Sequence, residues 1–306
     1  METEPGTTYV ITSGKGGVGK TTVTANLGVA LALRGNRVVV IDADIGLRNL
    51  DMIMGLENRV VYDLVQTIEG TCQLHQAMIR DRLNKSLYLI PAAQTRDKNA
   101  VTGEQMREVC EQLKPDFEYI LIDSPAGIEQ GFRNAVTAAD KAIVVTSPEV
   151  AAIRDADRVI GLIEAAGLPT PDLILNRVRP EMVRRRDMMS TEDILSLLSV
   201  NLLGLVPEDQ GVIISTNRGV PVAHDSKSES GKAFCRIAAR LDGEEVPSVA
   251  LAERVKFIQR LKKLPSLKLN GRGRFIKGLK KVPSLRLNGR GRFFQRFRKP
   301  AGSKQG

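Results

Sequence analysis

Residues Ser13 to Thr22 read SGKGGVGKTT. The stretch follows an apolar, β-branched run, Tyr9 to Ile11, and precedes an apolar-periodic segment, Val23 to Leu33, so the order is strand, glycine loop, helix. A phosphate-binding loop requires that setting, and Gly14, Gly19, Lys20 and Thr21 keep its Gly-x-x-x-x-Gly-Lys-Thr spacing. Gly14, Gly16, Gly17 and Gly19, with Val18 among them, allow positive φ and let successive backbone N–H groups close on a polyphosphate. The helix behind aims its positive end at the same anion. Lys20 is placed to reach the β and γ phosphates, and Thr21 to offer its hydroxyl to Mg²⁺. The expected ligand is a polyphosphate chain with Mg²⁺.

Outward from the loop, apolar strands recur and end on polar residues. Arg37 to Ile41 leads into Asp42-Ala43-Asp44, and Val and Ile on both faces mark a strand buried in a parallel sheet. Carboxylates at the C-terminal end of such a strand lie in the ligand crevice. Asp42 and Asp44 are therefore expected beside the glycine loop, followed by a switch segment over Ile45 to Asp51 that includes Asn49. Tyr119 to Asp123 repeats the pattern: Asp123 can hold a Mg²⁺-bound water, and Gly127 lets an N–H approach the γ phosphate. Strands over Leu87 to Ile90, Lys141 to Thr146, Asp172 to Leu175 and Leu202 to Val206 alternate with helices over Glu104 to Leu113, Val150 to Ala166 and Ser230 to Leu241. The ends of the last two strands make Asn176, Arg177, Pro207, Glu208 and Asp209 candidates for the adenine and ribose side. Ordinary turn chemistry is the competing reading. Unbroken alternation from residue 8 to 241 predicts one α/β domain over residues 1–243, a doubly wound, mostly parallel sheet flanked by helices.

Lys15, a second lysine inside the loop, is not needed to hold one nucleotide in one subunit. With it the loop resembles that of the deviant Walker A ATPases, the MinD/ParA family. DADIGLRNLD (Asp42 to Asp51), ENRVVYDLV (Glu57 to Val65), QTRDKNA (Gln94 to Ala100), DSPAGIEQG (Asp123 to Gly131), PEVAAIRDADR (Pro148 to Arg158) and PEDQGVIISTNRG (Pro207 to Gly219) resemble the MinD branch in particular. The resemblance covers residues 8 to about 242. It implies an ATP-dependent homodimer in which Lys15 crosses to the partner's nucleotide, Lys20 and Thr22 hold phosphates, Thr21, Asp42 and Asp123 surround Mg²⁺, and Asp44 is the switch residue for hydrolysis. Catalysis would then be positioning and charge stabilisation of an in-line water attack by Lys15, Lys20 and Mg²⁺. The helix with Arg154, Asp155 and Asp157 resembles the surface where a MinC-like inhibitor and a MinE-like activator dock, with a solvated charged face as the competing reading. Placement of the division site is the implied function, in a bacterial cytoplasm or a plastid stroma. A ParA-like, nucleoid-binding ATPase is the second reading. An electron-transfer or cluster-carrier relative needs paired cysteines, and Cys72, Cys110 and Cys235 are scattered without a Cys-x-x-Cys pair.

The chain of 306 residues carries 45 basic and 35 acidic residues, a net charge of +10. From Arg254 onward there are 18 basic residues and no acidic one, which leaves 27 basic against 35 acidic in the body. A basic arm is thus attached to an acidic domain through residues 244–253, and the arm is a departure from the MinD pattern of one short terminal helix. Phe257 to Arg274 and Phe275 to Arg292 agree at 14 of 18 positions, and a partial third copy begins at Phe293. Phe257, Ile258 and Leu261 recur as Phe275, Ile276 and Leu279 and again as Phe293, Phe294 and Phe297, and with Leu264 the first copy makes an apolar helical stripe about 120° wide opposite Lys and Arg. Pro265 and Pro283 limit each helix to about ten residues, below the roughly 12 to 15 that are stable in water, so the repeats are expected to fold on a surface. Phe on the apolar face and Lys and Arg beside it suit an anionic membrane and a peripheral place on its inner face. Nucleic acid is less favoured, because phosphate binding alone gives no reason for the stripe. The N-terminal METEPGTT lacks a basic, apolar leader pattern, and no stretch reaches the roughly eighteen apolar residues of a membrane span.

Overall fold

The computed structural model describes residues 5–97 and 100–246. Lys98 and Asn99, the end of the 244–253 segment, and the assignments on Phe257, Ile258, Leu261, Leu264, Phe275, Ile276, Leu279, Phe293, Phe294 and Phe297 lie outside the described residues. In chain order the elements are β1 (Thr7–Thr12), α1 (Lys20–Leu33), β2 (Val38–Asp42), α2 (Leu50–Met54), α3 (Leu64–Ile68), α4 (Leu74–Ala77), β3 (Ile79–Arg80), β4 (Leu87–Ile90), α5 (Gly103–Leu113), β5 (Tyr119–Asp123), α6 (Gln130–Thr137), β6 (Lys141–Thr146), α7 (Val150–Ala165), β7 (Asp172–Val178), α8 (Pro180–Arg185), α9 (Thr191–Leu198), β8 (Asn201–Pro207), α10 (Gln210–Asn217) and α11 (Glu229–Leu241).

The strands form one sheet in the order β3-β4-β2-β5-β1-β6-β7-β8, with every pairing parallel except β3 to β4. Strand side chains alternate between two cores, as the period of two requires. Ile11, Val38, Val40, Leu121 and Val145 pack with α1, α2 and α11, whereas Val10, Val39, Ile41, Ile122 and Val144 pack with α3, α5, α6, α7 and α9. The expected parallel, two-sided fold is therefore present. Its consequence for function is register: β1, β5 and β2 are neighbours, and Asp42 lies directly beside Asp123. Three strand ends thus meet at the rim where ligands bind in open α/β sheets.

Helix α1 is apolar all round, as a helix enclosed by a sheet and other helices must be. Gly28 lets it settle on β2, since a Cβ there would lie 2.7 Å from Val40 Cγ1. Its one fully buried amide is paired at both ends: Asn26 Nδ2 donates to the Thr22 carbonyl (2.8 Å), and its Oδ1 accepts from the Ala223 N–H (2.8 Å). The turns after α2 and after α10 meet without side chains between them. Gly55 and Gly219 both have positive φ, and a Cβ on Gly219 would lie 2.6 Å from the Gly55 Cα.

The structure differs from the sequence reading at short elements. Helices α2, α3, α4, α8, α9 and α10 have four to eight residues each, too few for a hydrophobic period to register. Strand β7 runs on to Val178 with an irregular register against β8, past the end expected at Leu175.

The C-terminal end of α11 is fastened to the bottom of the sheet by Asp242. Its carboxylate accepts hydrogen bonds from Arg34, from Asn36 Nδ2 (3.1 Å) and from the Tyr119 hydroxyl (2.7 Å). Burial raises the Asp242 carboxyl, but the bonds from Arg34, Tyr119 and Asn36 outweigh it and hold the group below its ordinary value. A depressed carboxylate stabilises the fold above the unfolded pKa of about 3.9 and ceases to do so as pH falls below it. Asp242→Asn should lower unfolding stability by about 1–3 kcal/mol at pH 7 in urea denaturation, with the difference shrinking below about pH 4.

Candidate nucleotide site

The loop from Ser13 to Gly19 leaves β1 at the rim and turns directly into α1. Positive φ is confined to Gly17 (79°) and Gly19 (94°), so the expectation that Gly14 and Gly16 need it is corrected. Gly14 serves close packing instead. A Cβ there would lie 2.3 Å from the Asp155 carbonyl oxygen of α7, which no L residue with a side chain could tolerate without moving that helix. Lys15, Gly16 and Gly17 are exposed, Val18 is buried, and Thr21 and Thr22 are half-buried at the start of α1.

Lys20 turns inward. Its ammonium donates to Asp123 Oδ1 at 2.9 Å, with side-chain exposures of 7% and 1%, and the Thr24 hydroxyl reaches the same oxygen at 3.1 Å. Asp123 Oδ2 is buried without a partner. On the adjacent strand, Asp42 Oδ1 accepts the Asp44 N–H (3.0 Å), and its Oδ2 accepts the N–H groups of Asn49 and Leu50 (3.1 Å each). The Asp42 carboxylate therefore caps the switch segment and the first turn of α2. Burial, and then the neighbouring Asp123 charge, push the Asp42 carboxyl up to about 7 against the pull of those N–H groups. Within the segment, Asp44 is half-buried, the Asp44 carbonyl accepts from Leu47 and Arg48, and Asp51 is fully buried in a 2.6 Å ion pair with Arg48. Gly127 (φ 92°) donates its N–H to the Ser13 carbonyl at 3.1 Å, bridging the loop after β5 to the glycine loop.

Two buried carboxylates, one lysine and one unsatisfied carboxylate oxygen suit a divalent cation beside a phosphate chain. Among the described residues no cluster of three or more His, Cys, Asp or Glu could hold a metal alone. Mg²⁺ does not need one, because it takes one or two carboxylates together with substrate phosphates and water. Asp42, Asp123 and the Thr21 hydroxyl are the groups that would face it.

On the other side of the loop, Asn176 Nδ2 donates to the Val18 carbonyl at 2.8 Å and crowds Gly19. Arg177 follows with φ 57° and an exposed side chain. Pro207 closes β8, and Glu208 forms an exposed ion pair with Arg179. Asp209 caps α10 through the Gly211 N–H (2.7 Å) and accepts the Ser228 hydroxyl (2.7 Å), which holds its carboxyl below the ordinary range. Asp209 is thus engaged as a helix cap and Glu208 in a surface ion pair, while Asn176 touches the cradle itself. Lys15 is exposed, with Nζ 3.9 Å from the Glu149 carboxylate, whose side chain is exposed as well. In α7, Arg154 and Asp157 point outward and Asp155 is half-buried, while Ile153, Ala156 and Val159 bury the opposite face. Thr24 was not foreseen; its signal is a hydroxyl one helical turn after Lys20.

A family model for the CobQ/CobB/MinD/ParA nucleotide-binding domain matches residues 9–222. The septum site-determining protein MinD of Bacillus subtilis (strain 168) is 53% identical over 253 residues, 82% of this chain and 94% of that protein. Among solved structures, the Aquifex aeolicus MinC:MinD cell division protein complex aligns with a TM-score of 0.74 at 48% identity, over 79% of this chain and 98% of the matched one. MinD from Pyrococcus horikoshii complexed with Mg-ADP aligns with a TM-score of 0.71 at 32% identity, over 77% and 96%.

Asn176 offers a direct check of the cradle. Asn176→Asp would place a carboxylate against the Val18 carbonyl and beside the expected phosphates. Titration with a fluorescent ADP analogue should show affinity reduced at least about tenfold, the size of a lost hydrogen bond plus a buried repulsion.

Proposed function

Because this chain belongs to the MinD branch of the CobQ/CobB/MinD/ParA nucleotide-binding family, we propose that it is a division-site-placing ATPase that dimerises on Mg-ATP and binds an anionic membrane through its C-terminal repeats. Stimulated hydrolysis would then release it. The relatives named above are all MinD proteins, one of them in complex with MinC, which supports a MinC-like partner and gives no support to the ParA-like reading.

The observation that carries the catalytic reading is the contrast between the two lysines of one loop. Lys20 is buried against Asp123, inside its own pocket, whereas Lys15 is exposed and held only by a long contact to Glu149. An ammonium that projects from its own cradle is available to a nucleotide in a second copy. In the assembled site Lys20 binds β and γ oxygens, Asp42 and Asp123 face the metal, and Lys15 from the partner copy meets charge that develops as the γ phosphoryl leaves. Bound Mg²⁺ would neutralise phosphate charge there. Asp44, on the segment capped by Asp42, would align the attacking water.

The exposed face of α7 supports a docking role for Arg154, Asp155 and Asp157 toward MinC-like and MinE-like partners, since that helix rests on Gly14 and would register a change in the loop. No helix among the described residues is long and apolar enough to cross a membrane, so contact would be peripheral and made by the basic tail. Two tails on one dimer bind with the second step intramolecular, which ties membrane affinity to nucleotide.

With Mg-ATP the parent chain should approach dimer mass in light scattering, and Lys15→Ala should stay monomeric with hydrolysis reduced at least about a hundredfold, as loss of one charge-stabilising donor commonly does. Anionic liposomes should retain the ATP form more than the ADP form. Preferential ATP-dependent retention on DNA would overturn the membrane reading. The three tail copies carry their own expectation: the full chain should sediment with anionic vesicles appreciably even with ADP, more than a chain cut after the first repeat, and equal binding by the two would refute it.

A further inference from the structure

Asp123 has two partners, and one of them has to leave. Its Oδ1 receives Lys20 Nζ at 2.9 Å and Thr24 Oγ1 at 3.1 Å, while Oδ2 is buried and bonded to nothing. When a nucleotide occupies the cradle, the Lys20 ammonium turns to phosphate oxygens. Thr24 is then the remaining hydrogen-bond donor to that carboxylate among the described residues. A carboxylate torsion is broad and roughly two-fold, so a single directional donor decides which oxygen faces the helix and which faces the pocket.

Thr24 is built for that task. It is fully buried in α1, one turn after Lys20, and its hydroxyl lies 3.1 Å from the Lys20 carbonyl as well as 3.1 Å from Asp123 Oδ1. The single hydroxyl proton is shared between these two acceptors, of which the carboxylate is the stronger, and both lie at the helix start that carries Lys20 and Thr21.

We infer that Thr24 is the positioning residue for Asp123: its hydroxyl pins Oδ1 to α1 after Lys20 departs and so keeps Oδ2 directed at the Mg²⁺ that accompanies the nucleotide. The inference rests on the assignment of Asp123 to the metal side of the site. It concerns Mg²⁺ affinity and leaves phosphate binding to the glycine loop and Lys20.

The test is Mg²⁺ titration of a fluorescent ADP analogue bound to the full-length chain, with binding in EDTA as the reference. Thr24→Val keeps the shape and removes the donor. Its half-saturating Mg²⁺ concentration should rise about tenfold, the size of one hydrogen bond to a charged group. Thr24→Ser restores the hydroxyl and should stay within about twofold of the parent, and all three should bind within about twofold of one another in EDTA. If Thr24→Val cannot be obtained folded, Thr24→Ala makes the same comparison. A parental Mg²⁺ requirement in the hydroxyl-less variant overturns the inference, as does an equal loss in EDTA, which would mark Thr24 as merely a packing residue. Asp123→Asn separates the two levels. If it keeps the parental Mg²⁺ requirement, the metal assignment itself fails; if it loses that requirement while Thr24→Val keeps it, only the role of Thr24 fails.

Discussion

Two aspartates in register on adjacent strands, both about 1% exposed, set the terms for everything at the rim of this sheet. Side by side and out of water, they cannot both be charged cheaply. Lys20 answers Asp123, and the backbone at the start of α2 answers Asp42. The groups that quiet the two carboxylates are therefore Lys20, proposed to bind phosphate, and the segment proposed as the switch. On that proposal, ligand binding would draw on both, and the pocket and the switch would share the same few residues.

Much of this was legible in the sequence because the physics is local. Buried parallel strands read as unbroken Val and Ile runs, and their terminal Asp42 and Asp123 could be assigned to the crevice from strand direction alone. What could not be read depends on contacts across the fold. The reason for glycine at position 14 is the backbone of α7, about 140 residues away, and nothing in the loop announces it. Thr24 lies in an apolar helix where a hydroxyl reads as filler until β5 is placed beneath it. Asp209 was ambiguous for the opposite reason: its cap needs only the next two residues and Ser228, so its local chemistry is complete without a ligand.

The site is also wired outward through backbone contacts. Gly14 rests on α7, Gly127 is bonded to Ser13, and the turn after α2 touches the turn after α10 at Gly55 and Gly219. Backbone contacts have no rotamers to absorb a displacement, so a shift of the loop or of α2 is passed to its neighbour. The charged, exposed face of α7 and the segment capped by Asp42 thereby share one mechanical frame, although they come from different halves of the domain.

The margins of the sheet carry one more implication. One margin is the two-residue β3, paired antiparallel and ending at Arg80, whose guanidinium lies over the Tyr88 ring; the other is β8, whose pairing with β7 slips twice. The two-residue β3 is too short to invite another sheet, and the irregular register of the seven-residue β8 makes it a poor template for one. Strand addition is thus discouraged at both ends, and in the proposed dimer the crest of loops around Lys15 would be the surface that meets the second copy. An encounter through that crest brings two phosphate cradles face to face, whereas lateral stacking would leave them pointing into solvent.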